Sequence, residues 1–471
     1  MNKCIKKLMV IIPSLAVLLL GGCTDTNSTT INVLATTDLH GMVPYNVAEY
    51  VKEEREKDEN ITLVDAGDFF DSDGYGPMDK YASEIRKNIE QGVKKYIELP
   101  LAKDMAEVGY DSVVLGNHEF VANNKDTLDN MVESFEKNNI DLLSANTYKD
   151  NNENYTKPYT IKEINTDQGT VKLGILGLTI KEIGEGKTWD ENGNLVPSKS
   201  RELKDQDGYD GKLYINDLVD EANKWSKIMK EDEKTDIIVA VVHSGEEPKK
   251  PKNPGNRIKE IAKETQYIDA IVAGHTHLKF DQHDYKNKNN ENVIVTQPGK
   301  HGENISKITF ELENDKDSWK IVNKQAKLTE FEQDKSDDYA GELIYKIADI
   351  KKETTEVNLN EITPFDWDKA YVFETNTPVE KIYKTVGYKW RSIVEATKDP
   401  MLQTVFMKDG KVVCFLTGDT ENMGLSISYD KSDYKDGVLE IYPGKNDKYS
   451  VKKGNDVFET HLTYKKSGIL K

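Results

Sequence analysis

An α/β fold, with helices packed outside a largely buried sheet core, is the class this sequence predicts, followed by a smaller β-rich module. Three observations lead there. From Ile31 onward, short β-branched runs alternate with charged, helix-periodic stretches for about 300 residues. The runs are apolar at consecutive positions, as strands covered on both faces are. After residue 361 the pattern turns to aromatic-rich hairpin signals.

The chain opens differently. "MNKCIKK" supplies three lysines, "LMVIIPSLAVLLL" is an apolar run, and Gly21-Gly22-Cys23 follows. The run is too short for a comfortable membrane span and has the layout of a signal peptide over residues 1–22. Leu20-Gly21-Gly22-Cys23 resembles the bacterial lipoprotein box, in which the cysteine carries the lipid. The expected mature protein is exported and held to the outer face of the cell membrane through Cys23. Residues 23–30 then read as a polar tether. Of the chain's three cysteines only Cys414 would accompany Cys23, so no internal disulfide is expected and stability must rest on the core.

Seven runs read as buried strands: "INVLATT", "ITLVDAG", "DSVVLGN", "VKLGILGLT", "DIIVAVVHSG", "DAIVAGHTH" and "VIVTQPG". Between them, Ile85, Ile89 and Val93 recur every four residues as one helix face, residues 213–233 read as a second helix and "IKEIAKE" as a third. Residues 184–211 look like an excursion from the core. The expected organisation is a catalytic domain over 31–333, a charged linker helix over 334–360, and a small α+β, β-rich domain over 361–471. "KDGKVVCFL", "YKDGVLEIY" and "KKGNDVFETHL" supply the hairpin signals of the last.

The formal charge of −19 argues against binding nucleic-acid polymers by bulk electrostatics. With only five arginines in the chain, a phosphate-bearing ligand would need a local cation. The strand ends offer a way to hold one. "ATTDLHG" ends in Asp38 and His40, "VDAGDFFD" presents Asp68, and "LGNHE" presents Asn117 and His118. "VVHSG" presents His243, and "AGHTH" presents His275 and His277. Five strand ends on one sheet edge converge, which is where α/β proteins place ligand chemistry. If the loops stay extended, residues two apart point to one side, so Asp38/His40 and His275/His277 each aim two groups together. Carboxylate, imidazole and amide ligands without thiolate suit two divalent ions of Zn, Mn, Fe or Co. Seven candidate ligands exceed one tetrahedral ion but fit two sharing a carboxylate, for which Asp68 is best placed.

In this order, "TTDLHG", "DAGD", "GNHEF", "SANTYKDNNENYTKPY", "VVHSG", "GHTH" and "TQPGKHGENISKITFEL" resemble the calcineurin-like metallophosphoesterases. Within them, the resemblance is to the 5′-nucleotidase and 2′,3′-cyclic-nucleotide phosphodiesterase family, over about residues 31–330. The resemblance implies an αββα metallophosphoesterase sandwich. It implies one ion on Asp38, His40, Asp68 and His277, and another on Asp68, Asn117, His243 and His275. His118 would stand beside the phosphate and protonate the leaving alkoxide while metal-activated hydroxide attacks in line. The implied substrate is a small phosphate ester, a nucleotide monoester or cyclic diester.

Two departures from the family stand out. After "NHEF" the family commonly continues with an Asp or Asn thought to orient the histidine, whereas here Val121 follows, leaving Glu119 or a more distant group to do so. The family's base-binding C-terminal domain is not recognisable in residues 361–471, where Arg391 is the one arginine. Trp367, Tyr388 and Trp390 read as packing before they read as base-stacking groups. His283 and His461 read as solvated, His301 as a residue after a strand near the site that could touch substrate, and Asp65 and Asp71 as outside the ligand set. Two alternatives stay open: a phosphoesterase for a non-nucleotide substrate, and a weakly catalytic surface lipoprotein that binds metal or phosphate.

Overall fold

The structure is a computed structural model. It describes residues 28–466 apart from 71–76, 94, 122, 184–186, 190–194, 198–201, 207, 247–254, 316–317, 333–334, 391–392, 397–400, 421–423 and 455–458. Residues 1–22, expected to be a signal peptide, and Cys23, Asp71 and Arg391 lie outside the described residues. No helix among the described residues is long and apolar enough to cross a membrane.

Two six-stranded sheets face each other. The first runs, edge to edge, 318–330, 304–315, 28–36, 62–65, 112–114 and 141–143; the second runs 279–286, 292–298, 270–273, 237–243, 169–179 and 159–166. Ser28–Thr36 is parallel to Thr62–Asp65, which is parallel to Ser112–Val114, and that strand to Asp141–Leu143. In the second sheet Gly169–Thr179, Ile237–His243, Ala270–Ala273 and Asn292–Pro298 are all parallel neighbours.

Side-chain alternation explains the layering. Ile31, Val33 and Ala35 enter the space between the sheets, where they meet Val239, Val241 and Val272. Leu34 points the other way, into a core shared with the helices Tyr45–Lys57, Pro100–Val108 and Lys125–Lys137. On the second sheet Ile238, Ala240 and Val242 face outward onto the helices Leu218–Glu231 and Ile258–Glu264. Strands buried on both faces are apolar throughout, as read from the sequence. The result is four layers, helix–sheet–sheet–helix: the αββα sandwich.

Several boundaries differ from the sequence reading, each for a physical reason. Residues 28–30, assigned to the tether, extend the first strand because they pair with Glu311–Glu313 of the neighbouring hairpin. The predicted helix over 213–233 begins only at Leu218. Leu213–Ile215 form a short strand against Thr147–Lys149, and the Asp217 carboxylate caps the helix by accepting from the amides of Val219 and Asp220. Val93, placed on the buried face of its helix, is exposed beyond the helix end at Glu90.

The stretch assigned as a linker belongs to the C-terminal module. Its helix covers Ser336–Ala348, and Leu343 and Ile347, one turn apart, are fully buried with Phe365, Trp367 and Phe406. Glu356–Asn358 is a strand paired with Lys448–Lys453. The module holds two four-stranded sheets. The hairpins at Lys408–Lys411 and between Lys448–Lys453 and Thr460–Tyr464 are present. At "YKDGVLEIY" the Asp436-Gly437 turn is closed by an antiparallel bridge between Lys435 and Val438, and Val438–Ile441 then pairs with the distant strand Lys369–Phe373.

Candidate metal centre

All five chemistry-bearing strand ends open on one edge of the sandwich, where backbone bonds lay the turns side by side. Asp38 N–H donates to Gly67 O (2.9 Å) and His40 N–H to Asp68 O (3.0 Å). The turns are not extended, which corrects the sequence argument for how paired ligands come to one side. Asp38, His40, Asp68, His275 and His277 have φ of 51°, 47°, 55°, 70° and 57°. Left-handed backbone at a non-glycine residue costs about 1–2 kcal/mol. Five such residues persist here because the cross-loop bonds and the buried sheet ends over-determine them.

The side chains meet at close range. His277 Nε2 lies 3.3 Å from Asp38 Oδ1 and 3.4 Å from His40 Nε2. His243 Nε2 lies 3.1 Å from both Asp68 Oδ2 and Asn117 Oδ1, and His275 Nδ1 lies 2.8 Å from Asn117 Oδ1. Asp38, His40 and His277 form one group of closely spaced ligand atoms, and Asp68, His243 and His275 another. Asp68 also groups with His40 and His118. Asp68 is thus within reach of both sides.

The donor set fits divalent cation binding. Asp38 is buried; its Oδ2 accepts from Thr37 Oγ1 and from the His275 amide, while its Oδ1 makes no hydrogen bond. A buried carboxylate oxygen left in this way costs free energy unless a cation meets it. His243 Nδ1 lies 2.7 Å from Ala66 O, which can only accept, so Nδ1 carries the hydrogen and Nε2 faces Asp68. Burial alone would lower the His243 pKa, but the charge and hydrogen bond of Asp68 win and push it up to about 10. Burial likewise opposes ionisation of Asp68, yet His243 holds that carboxyl below its ordinary range. The proton held between them is one that a cation on Nε2 displaces. His275, half-buried and beside His243, is pushed down to about 4 by loss of solvent and by that neighbouring charge, and stays neutral, as a ligand must.

His118 begins the short helix His118–Val121 and is 40% exposed at the mouth of the site. Its Nε2 is 3.9 Å from Asp68 Oδ2, its amide donates to Asp68 Oδ1 (2.8 Å), and its ring packs edge-on against His40 at 4.7 Å. Glu119 does not orient it. That carboxylate is fully buried and accepts from the amides of Asp68, Phe70 and Gly116, tying two ligand loops together. Val121 is 43% exposed, and the Asn123 amide nitrogen donates to Glu119 O.

Two residues the sequence argument passed over, Gln297 and Asn146, hold this geometry. Gln297, fully buried, donates to Gly274 O and exchanges a bond with Thr276 Oγ1, bracing the His275–His277 turn. Asn146, inside the "SANTY" stretch, bonds Thr179 N and O, and Thr179 Oγ1 reaches Leu115 O, locking the two sheets at the site edge. Asp65 accepts from Thr36 Oγ1 and Gly67 N, which occupies it structurally; burial pushes it up to about 7. His301 lies nearer the site than a generic loop: its amide donates to Asp38 O (2.8 Å) and its ring is 5.4 Å from His40. The only signal for it was proximity to the "TQPG" strand end.

Gly116 is required by close approach. A Cβ there would stand 2.2 Å from Asp68 Oδ1 and 2.4 Å from Asp68 N. Overpacking of this kind costs about 1–3 kcal/mol, and here the strain falls on the shared carboxylate. Gly116→Ala is expected to lower both the melting temperature and the metal content per chain, read by thermal unfolding and elemental analysis. Wild-type values for both would contradict this packing.

In the C-terminal module Trp367 and Trp390 are buried, Trp367 Nε1 donating to Thr363 Oγ1 and Trp390 packing edge-on to Phe415. Tyr388 Oη accepts from Val412 N, and its ring lies 4.2 Å from that of Tyr45 in the sandwich. His283 is exposed but pairs with Glu246, and His461 bonds Ser426 and Glu459.

Comparison with known proteins agrees with this geometry. The calcineurin-like phosphoesterase family matches residues 31–279. The chain is 29% identical over 329 residues to the trifunctional nucleotide phosphoesterase protein YfkN of Bacillus subtilis, a match covering 63% of this chain and 20% of that protein. It is 23% identical over 327 residues to a 2′,3′-cyclic-nucleotide 2′-phosphodiesterase/3′-nucleotidase of Haemophilus influenzae, covering 63% and 45% respectively. The crystal structure of the calcineurin-like phosphoesterase YfkN from Bacillus subtilis superimposes with a TM-score of 0.51 at 26% identity, over 64% of this chain and 91% of that one. The chain therefore spans less than half the length of these two curated relatives.

Proposed function

The chain belongs to the calcineurin-like phosphoesterase family, and from that premise we propose that it is a metal-dependent hydrolase of nucleotide phosphate esters, either monoesters or 2′,3′-cyclic diesters. The observation that carries the reading is Asp68, whose carboxylate is shared between two groups of ligand atoms with His118 beside it. Asp38, His40, Asp68 and His277 would hold one divalent ion, and Asp68, Asn117, His243 and His275 the other. Ions bound there supply Lewis-acid charge to the phosphoryl oxygens and acidity to the attacking water.

The chain's own residues do the rest. The buried Asp38 and the loops around it fix ligand directions in advance, so little reorganisation accompanies reaction. Water releases a proton to solvent and adds its oxygen to phosphorus as the ester P–O bond breaks; the leaving alkoxide takes its proton from His118, which is exposed enough to reach it and regains one from solvent. A cyclic diester opens to a monoester, and a monoester yields an alcohol and inorganic phosphate.

Nucleotides are chosen because the relatives' names specify them. Export with a lipid on Cys23 rests on Leu20–Cys23 and the apolar run before it. A non-nucleotide ester is the second reading, favoured by the burial of Trp367 and Trp390, which removes both indoles from base stacking.

The test is product release by the protein from residue 24 onward with Mn²⁺ or Zn²⁺, before and after chelation, on 2′,3′-cyclic AMP, 3′-AMP, 5′-AMP and bis-p-nitrophenyl phosphate. Chelator-sensitive turnover of the nucleotides is the expected result. Turnover of the artificial diester alone would transfer the proposal to a non-nucleotide substrate, and none with any metal would remove the hydrolase reading.

A further inference from the structure

A cleft of about 930 Å³ lies between the sandwich and the C-terminal module. The sandwich contributes Tyr45, His301 and Phe331 to its lining, and the module contributes Tyr339, Lys408 and Lys411. Of these, His301 also touches the strand-end site. Its ring stands 5.4 Å from that of His40, edge-on at 86°. His118 meets the same His40 ring at 4.7 Å and 81°. Two imidazoles outside the ligand set therefore flank one ligand, and only His301 also lines the cleft.

His301 is held firmly in that position. Its backbone is left-handed, with φ 53°, and its amide is bonded to Asp38 O at 2.8 Å. The next residue, Gly302, backs onto Pro44 and Val47 so closely that a Cβ would lie 2.7 Å from Pro44 Cγ. The loop then enters the strand Asn304–Asp315, which pairs with the strand carrying Asp38 at its end. A side chain fixed on this rigid bridge presents one ring to both spaces. An imidazole can donate at one ring nitrogen and accept at the other, chemistry suited to a sugar hydroxyl.

We propose that His301 is a specificity-determining contact: its imidazole hydrogen-bonds the alcohol portion of the ester where that portion leaves the ligand cluster and enters the cleft. This rests on the phosphoesterase reading and adds a substrate class. The preferred esters carry a nucleoside-sized, hydroxyl-bearing alcohol that fills the cleft, while small phosphates reach the ligand cluster without using His301.

Steady-state turnover of 3′-AMP by the metal-loaded protein tests this, with inorganic phosphate as a competing inhibitor whose inhibition constant reads its affinity, and with elemental analysis of each variant. His301→Ala is expected to raise the KM for 3′-AMP roughly tenfold, the value of one lost hydrogen bond, with a smaller rise in the inhibition constant of inorganic phosphate. The metal count should match wild type, and His301→Asn should recover part of the 3′-AMP affinity. The rise in KM should exceed any fall in kcat. Equal rises in both constants, an unchanged KM for 3′-AMP, or loss of metal would overturn the inference. Failure of the underlying reading shows separately, in the wild type: a protein that does not turn over 3′-AMP has no nucleotide site for His301 to serve.

Discussion

Asp68→Asn will abolish turnover and leave the protein unable to retain both ions. The substitution keeps the size of the side chain and one acceptor oxygen for the His118 amide, now 2.8 Å from Asp68 Oδ1. It removes the negative charge that stands 3.1 Å from His243 and within reach of both ligand groups. An amide cannot bridge two cations as a carboxylate can, and in the proposed two-ion centre a neutral ligand would replace the shared anion. Loss of a single electrostatic stabiliser of the transition state costs on the order of 10²–10³ in rate, so loss of the bridge should cost at least that. Elemental analysis beside a turnover assay reads both effects, and circular dichroism checks the fold. An Asp68→Asn protein that keeps either full metal content or turnover would sink the bridging assignment.

His118→Ala separates acid catalysis from metal binding. The backbone bond to Asp68 survives the change, and the ligand groups Asp38/His40/His277 and Asp68/His243/His275 are untouched. Metal content should match wild type while kcat falls about 10²–10⁴-fold for alcohol leaving groups, the range for a positioned general acid. A p-nitrophenolate leaving group is a weak base and needs little protonation, so its loss should be much smaller. Equal losses for nucleotide and p-nitrophenyl esters would mean that His118 does something other than deliver the proton.

What could be read before the fold was known follows from how local each signal is. Strands such as Ile237–His243 are apolar on both faces and end in a single polar group, a pattern contained in one short segment. Convergence of the five ends follows from parallel strands sharing a direction. The turn geometry was not legible. Extended loops were assumed at Asp38–His40 and His275–His277, whereas left-handed residues aim those side chains. The need for Gly116 was hidden too, since the atom it spares belongs to Asp68, and Glu119 bonds amides 49 and 51 residues away. Such partners are set by sheet order, which a linear pattern does not state. The helix Ser336–Ala348 read as a linker because its charged residues dominate the eye, while Leu343 and Ile347, one turn apart, anchor it in the module's core.

The most direct test of the two-ion centre is anomalous X-ray scattering from crystals of the protein grown with Mn²⁺. Two peaks per chain are predicted, one among Asp38, His40 and His277 and one among Asn117, His243 and His275, with Asp68 in contact with both. A single peak, or peaks that leave Asp68 without a metal contact, would contradict it.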